Sequence, residues 1–227
     1  MKQLPLIFQK NHILIDQING LYVYDTGSPE SFSISKQNPF NDQEIGESHL
    51  RETDAKKLSE YLGIKHIVGL IGTDILNQYD HLVDLQTNTL TFSEQELEHK
   101  GYKIALKFSN TLKGVPTLDA KIDKHLTSLI FDTGAQYSYY DDTTPISSVP
   151  AEDISDFWPP IGKFKTKSFR KRIKLNTIET GIHFGVPPES LLKLLNTLGT
   201  TGILGNQVMR NRVTGYFPRR NELVLQS

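Results

Sequence analysis

Short apolar runs rich in Ile, Val, Leu, Phe and Tyr alternate along this chain with turn-forming residues, and helical periodicity is confined mainly to two stretches. Leu4–Phe8 and His12–Ile15 read as strands. Asn19-Gly20 is a hairpin signal that leads into Leu21–Tyr24. Phe32 and Ile34 alternate with serines, as in a half-exposed strand, and the polar residues 36–50, with Pro39 and Gly46, read as a loop or short hairpin. A helix is expected from a cap at Thr53, with Ala55, Leu58, Tyr61 and Leu62 on one face and Gly63 at its end. Ile67–Gly72 is an apolar run interrupted by glycines, and Val83–Leu85 with Thr89–Phe92 forms a hairpin turning near Asn88. Ser93 and Glu96 have capping-box spacing, which predicts a short helix or turn over 93–100.

The second half repeats this order. Lys103–Phe108, Thr117–Ile122 and Leu129–Phe131 read as strands. Pro188 suits the first position of a helix whose apolar face is Leu191, Leu192, Leu194, Leu195 and Leu198, with Gly199 at its end. Gly69-Leu-Ile-Gly72 aligns with Gly202-Ile-Leu-Gly205 at an offset of 133. The same offset runs ungapped onward and sets Leu76 on Met209, Asn88 on Asn221, Leu90 on Leu223 and Phe92 on Leu225.

Two strands end on the same motif, Asp25-Thr26-Gly27-Ser28 and Asp132-Thr133-Gly134-Ala135, at an offset of 107. The difference between the offsets leaves the second half with 26 extra residues between its Asp and its helix, within 137–186. A carboxylate at a strand's end, where the chain turns sharply on a glycine, is well placed for chemistry. Two of them face to face, roughly 3 Å apart, cannot both ionise cheaply and share one proton, so one serves as general base on a water and the other as general acid. Ser28 has a hydroxyl to donate to its carboxylate and Ala135 has none. A bond to the charged form lowers a pKa, so Asp25 is expected to ionise more readily and Asp132 to carry the proton.

Composition narrows the field. The 227 residues suit one large domain or two small ones, with 37% hydrophobic and 22% charged residues as in ordinary globular proteins. The net charge of −1 provides no global field toward nucleic acid or membrane. With no cysteine, disulfides and thiolate metal sites are excluded. No apolar run approaches the roughly 20 residues of a membrane span. The N-terminus lacks the basic and apolar regions of a signal peptide, so the expected location is the cytoplasm, or outside it for a chain given without its leader. The seven histidines lack metal-ligand spacing, and there is no Gly-x-Ser-x-Gly or phosphate-loop motif, so no metal or cofactor is expected.

The doubled Asp-Thr-Gly, each copy followed by an apolar-apolar-Gly loop and a final hairpin, resembles the aspartic peptidases of the pepsin and retropepsin kind. Gly202–Leu225 looks like the C-terminal part of a pepsin-like lobe, Gly69–Phe92 like a retropepsin subunit, and the whole chain like a fused retropepsin dimer. The resemblance implies a mainly β, bilobal acid-protease fold with a few short helices, an N-terminal lobe over residues 1–100 and a C-terminal lobe over 101–227, related by a pseudo-twofold axis. It implies that Asp25 and Asp132 are the catalytic dyad. Thr26 and Thr133 would lock the two loops together, Gly27 and Gly134 would admit the close backbone, and Gly72 and Gly205 would let a strand pass under each Asp loop. It implies a monomeric aspartic endopeptidase acting on peptides or proteins. The alternatives are a peptide-binding protein of the same fold with weak or no activity, and a processing enzyme of narrow selectivity.

Three departures from the family pattern shape the expectations. Between Asp25 and Thr53 there is no Tyr or Trp, and Phe40 is the one aromatic beyond Phe32, so a full flap is not expected there. The extra length of the second half is expected to supply the lid instead, with Phe157 and Trp158 near the cleft; the competing reading packs Trp158 into the core. An Asp–Arg ion pair common beside the retropepsin site is replaced by Pro29, Gln136, Thr73 and Asn206. The basic run Lys163, Lys165, Lys167, Arg170, Lys171, Arg172 and Lys174 reads as a solvated hairpin, with a cleft wall preferring acidic peptides as the alternative.

Overall fold

Hairpins dominate because turn residues separate the apolar runs at short intervals. The computed structural model describes residues 1–45, 52–108, 110–141, 152–158 and 160–226, with backbone alone for 52–54. Its strands and helices are β1 (Lys2–Gln9), β2 (His12–Gln17), β3 (Gly20–Tyr24), β4 (Phe32–Ser33), α1 (Glu52–Leu62), β5 (Ile67–Ile71), α2 (Thr73–Leu76), β6 (Asp80–Asp84) and β7 (Thr89–Ser93). There follow β8 (Tyr102–Phe108), β9 (Pro116–Ile122), β10 (His125–Phe131), β11 (Ser138–Tyr140), β12 (Glu152–Trp158), β13 (Gly162–Leu175), β14 (Ile178–Gly185), α3 (Glu189–Thr197), β15 (Gly202–Leu204), β16 (Val213–Phe217) and β17 (Glu222–Leu225). Strand makes up 50% of the chain and helix 14%, so the fold is mainly β.

The repeat in the sequence recurs in the pairing. Tyr22, Val23 and Tyr24 lie parallel to Gly69, Leu70 and Ile71, while Leu129, Ile130 and Phe131 lie parallel to Gly202, Ile203 and Leu204. These pairs keep the offsets of 107 and 133. Asn88 and Asn221 both take positive φ, 54° and 57°, and turn the two matching hairpins. An antiparallel sheet joins the early and late parts of the chain: β1 pairs with β7, β7 with β6, β6 with β16, β16 with β17, and β17 with β8.

The extra residues of the second half have a clear structural use. Strands β9, β10, β15, β11, β14 and β13 pair in a closed ring, completed where Ile173 and Lys174 of β13 meet Ile122 and Lys121 of β9. Closure removes the unpaired edges of that sheet. In the first half β3, β5 and β4 pair without such a closure among the described residues.

One large core merges both halves, with Ile13, Tyr24 and Ile71 beside Leu118, Phe131, Leu204 and Tyr216. Within it Phe40, Tyr79, His81 and Phe92 form a ring cluster, with Phe40 4.7 Å from Phe92 and 5.3 Å from Tyr79 between centroids. Phe40 is thus a core residue. His81 is fully buried beside Leu76 O at 2.7 Å, and burial pushes its pKa down to about 4.

Three local expectations are corrected or narrowed. Helix α1 begins at Glu52, so Thr53 lies inside its first turn and not before it, and its side chain lies outside the described residues, as does Gly46. Of the helix or turn expected over 93–100, the structure has a bend at Glu94 and Gln95, where Gln95 N donates to Ser93 Oγ at 3.0 Å, and Arg219 and Arg220 donate to the carbonyls of Glu94 and Leu97. On α3, Leu191 and Leu195 are buried while Leu194 faces solvent, since a nine-residue helix packs one narrow stripe. Pro188 precedes that helix as its cap.

The Arg219–Arg220 clamp centres on Asp80, whose side chain is 0% exposed and accepts from both guanidiniums and from the Leu97 amide. Removing one member of a buried charge network is costly. Asp80→Ala is expected to lower stability by about 3 kcal/mol, measured as the urea midpoint. Lys107→Ala, which breaks the exposed pair with Asp119, is expected to cost less than about 1 kcal/mol.

Candidate active site

Both Asp-Thr-Gly segments emerge from the central parallel strand pairs. The amide of Asp25 donates to Ile71 O at 3.0 Å, and that of Asp132 to Leu204 O at 3.0 Å. The threonines then cross. Thr26 Oγ1 donates to Phe131 O at 2.7 Å and accepts from the Thr133 amide at 3.0 Å. Thr133 Oγ1 donates to Tyr24 O at 2.9 Å and accepts from the Thr26 amide at 2.9 Å. Both threonines are buried, so every polar group in this knot is satisfied inside the protein.

The knot brings the carboxylates together. A Cβ added to Gly27 would lie 2.2–2.5 Å from the carboxylate atoms of Asp132, and one on Gly134 would lie 2.5–2.6 Å from those of Asp25. Only a residue without a side chain lets each loop face the opposite acid. Gly72 and Gly205 act one layer below. A Cβ there would meet Ser28 O at 2.7 Å and Tyr137 O at 2.5 Å.

The backing of the two loops repeats bond for bond. Thr73 N donates to Ser28 O at 2.9 Å and Asn206 N to Ala135 O at 3.0 Å. Gly72 N donates to Ser31 Oγ at 2.8 Å and Gly205 N to Ser138 Oγ at 3.1 Å. Thr73 and Asn206 therefore brace the loops. Pro29 lines the cleft, and Gln136 binds Asp156.

Burial pushes the pKa of both acids up. Asp132 stands well above the usual carboxylate range, because the charge of Asp25 lies against it and the two side chains share a hydrogen bond. Asp25 rises less, since it also accepts from the amides of Gly27, Ser28 and Gly134. The expected role of Ser28 is corrected: its hydroxyl donates to Glu30 O at 2.9 Å, an acceptor two residues on, and only its amide serves Asp25. Ala135 likewise serves Asp132 through its amide, at 3.0 Å.

The acids lie at the floor of two adjoining cavities of about 140 and 480 Å³, which share Asp25, Asp132, Leu58, Leu70, Phe157 and Trp158. Overhead, Phe157 of β12 stacks on Tyr61 of α1, with centroids 3.8 Å apart and planes 14° apart. Trp158 both lines the cavities and packs against the second-half core around Ile154 and Leu195, so the two readings of it hold together. The hairpin carrying both aromatics is tied down near the second acid. Asp156 accepts from Gln136 Nε2 at 2.7 Å and from Tyr139 OH at 2.5 Å.

Tyr61, Leu58, His12 and Asp156 were not singled out as site residues from sequence. Leu58 and Tyr61 were legible as an apolar helix face, but nothing local says that this face overhangs the acids. His12 is buried with Nδ1 3.2 Å from Gly134 O, and burial pushes its pKa down. A carbonyl only accepts, so Nδ1 carries the proton and the ring steadies the Gly134 loop. No group of His, Cys, Asp and Glu side chains among the described residues is arranged to hold a metal ion, and none of their helices is long and apolar enough to cross a membrane.

No protein-family model and no curated protein matches this chain.

Thr26→Val and Thr133→Val each remove a buried donor and acceptor and orphan two backbone groups. Each is expected to cost about 2–3 kcal/mol in equilibrium unfolding, with Thr→Ser largely neutral. Gly27→Ala is expected to destabilise by a similar amount, because its Cβ and the Asp132 carboxylate cannot occupy the same space.

Proposed function

We propose that this protein is an aspartic endopeptidase of the acid-protease fold, with two pseudo-twofold related lobes in a single chain and a working monomer. The observation that carries the reading is the pair of proton-sharing aspartates, each facing the other's glycine at the floor of a cleft. The repeated strand registers and loop braces support the two-lobe reading. Ionised Asp25 takes a proton from water as the oxygen attacks the scissile carbonyl carbon, and Asp132 passes its proton to the carbonyl oxygen. The resulting diol collapses with cleavage of the C–N bond: the proton on Asp25 goes to the leaving nitrogen, and a diol hydroxyl returns its proton to Asp132 as the new carbonyl forms, which restores both acids to their starting states. The β12–β13 hairpin and the end of α1 serve together as the lid, through Phe157, Trp158 and Tyr61.

The tight Tyr61–Phe157 stack favours a second reading, a peptide-binding protein whose cleft stays shut to a scissile bond. Cleavage of a diverse peptide mixture separates the two. On the first reading, Asp132→Asn lowers kcat by at least about 10³-fold. Absence of cleavage by well-folded wild type at every pH would favour the second.

The charge states also predict where the enzyme works. A carboxyl raised in the folded state favours the fold at low pH and disfavours it once pH rises past the unfolded value. Asp132→Asn is therefore expected to raise Tm at pH 7, with the gain fading below the ordinary Asp range. His81 has the opposite requirement. Its folded pKa is lowered to about 4, so stability falls as pH drops from the unfolded value near 6.5, by up to about 3 kcal/mol. Catalysis needs one acid ionised while the other keeps its proton, and burial raises both; together with the loss of stability that His81 imposes at low pH, this sets the activity optimum above the ordinary Asp range, in mildly acidic to neutral solution. A pH–rate profile with its maximum below pH ~4 would contradict this.

A further inference from the structure

The basic strand β13 carries seven cations between Lys163 and Lys174, and the proposed chemistry uses none of them. The structure divides them. Lys171 is buried with its ammonium 3.5 Å from Asp123, Arg172 lies 3.1 Å from Glu179, and Lys167 lies 3.7 Å from Asp153. The register is regular along both hairpins, so odd and even positions take opposite faces. Arg170, Arg172 and Lys174 alternate with the buried Lys171, Ile173 and Leu175 and look outward from the barrel. Lys163 takes the other face, directly across from Phe157.

That position is in the wall of a third cavity, of about 290 Å³, which also touches Lys10, Tyr61, Gln136 and Ser155. It adjoins the cavity over the acids and shares His12, Leu62, Asp156 and Phe157 with it. Lys10 is held in place. It sits in a two-residue turn with Asn11, at φ 48° and 62°, and its Nζ donates to Gly63 O at 2.8 Å. An ammonium has three donors, so two remain. The carboxylate in this wall, Asp156, already accepts on both oxygens from Gln136 and Tyr139. Neither Lys10 nor Lys163 has an ion-pair partner among the described residues. The cavity over the acids, by contrast, is walled by Val23, Leu58, Leu62, Leu70, Phe164 and Ile203.

We propose that Lys10 and Lys163 form a subsite for a carboxylate of the substrate, set beyond the Tyr61–Phe157 stack from the scissile bond. The favoured substrate is apolar at the cut and acidic on one side of it. This rests on the endopeptidase reading for its meaning, though the subsite is a binding property that stands or falls separately. The carboxylate comes from a Glu or Asp side chain or from a peptide's C-terminus, and the two sources are separable.

The test uses C-terminally amidated octapeptide pools with an apolar central pair and Glu or Gln fixed at each outer position in turn, beside free-acid pools. KM is measured with wild type, and binding by fluorescence anisotropy with Asp132→Asn. At one outer position the Glu pool is expected to show a KM and Kd roughly three- to tenfold below the Gln pool, shrinking as salt is raised. Lys163→Glu is expected to abolish or reverse the preference, and Lys10→Gln to weaken it. A preference confined to free-acid pools assigns the carboxylate to the C-terminus. Equal KM and Kd for all Glu and Gln pools and their free acids, with cleavage intact, overturns the subsite and leaves the endopeptidase standing. Preferential Glu binding that Lys163→Glu reverses, without cleavage, supports the subsite and overturns the endopeptidase. Neither binding nor cleavage of any pool overturns both.

Discussion

Two carboxyl groups held so close that they cannot both ionise cheaply are the constraint from which the rest of the structure follows. Left to electrostatics, Asp25 and Asp132 would move apart into water. They are held by the crossed threonine bonds, in which each hydroxyl serves the opposite chain segment as donor and acceptor at once. The knot in turn needs glycine next to each threonine, because the space a Cβ would take is filled by the other acid. The loops must then be braced from below, and Thr73, Asn206, Ser31 and Ser138 do this through backbone bonds.

The two halves meet this shared demand with different surroundings. Around Asp132 the added strands close a barrel and send out the long β12–β13 hairpin. Around Asp25 the sheet is smaller, and helix α1 lies over it. The ring stack above the acids takes Tyr61 from one half and Phe157 from the other, and Asp156 ties the hairpin to Gln136 and Tyr139. The environments of the acids also differ. Asp25 collects more amide donors, and Asp132 feels the charge of its neighbour, so identical motifs acquire distinct proton affinities.

The fold's stability has its own charge logic, separate from the site's. His81 must stay neutral inside an aromatic cluster, and Asp80 is held between two arginines. Both residues are adjacent in β6, the strand that pairs with β16 and so joins the early and late parts of the chain. Protonation of His81 therefore acts on the strand that joins the two parts of the chain.

Much of the architecture was legible in the chain because it is encoded locally or by repetition. Strand runs, the Asn88 and Asn221 turns, the doubled Asp-Thr-Gly and the offsets of 107 and 133 are properties of sequence alone, and the parallel registers follow the same offsets. What lay beyond reach depends on contacts between residues far apart in sequence. The Ser28 hydroxyl found a nearer acceptor than its own acid. The carbonyls of the segment after Ser93 are held by arginines 125 and 123 residues away. Tyr61 had the spacing of a core residue, yet its ring stacks on Phe157 of a distant hairpin. Periodicity specifies which face of an element is apolar; only the packed tertiary structure decides whether that face meets the core, the acids or an opposing lid.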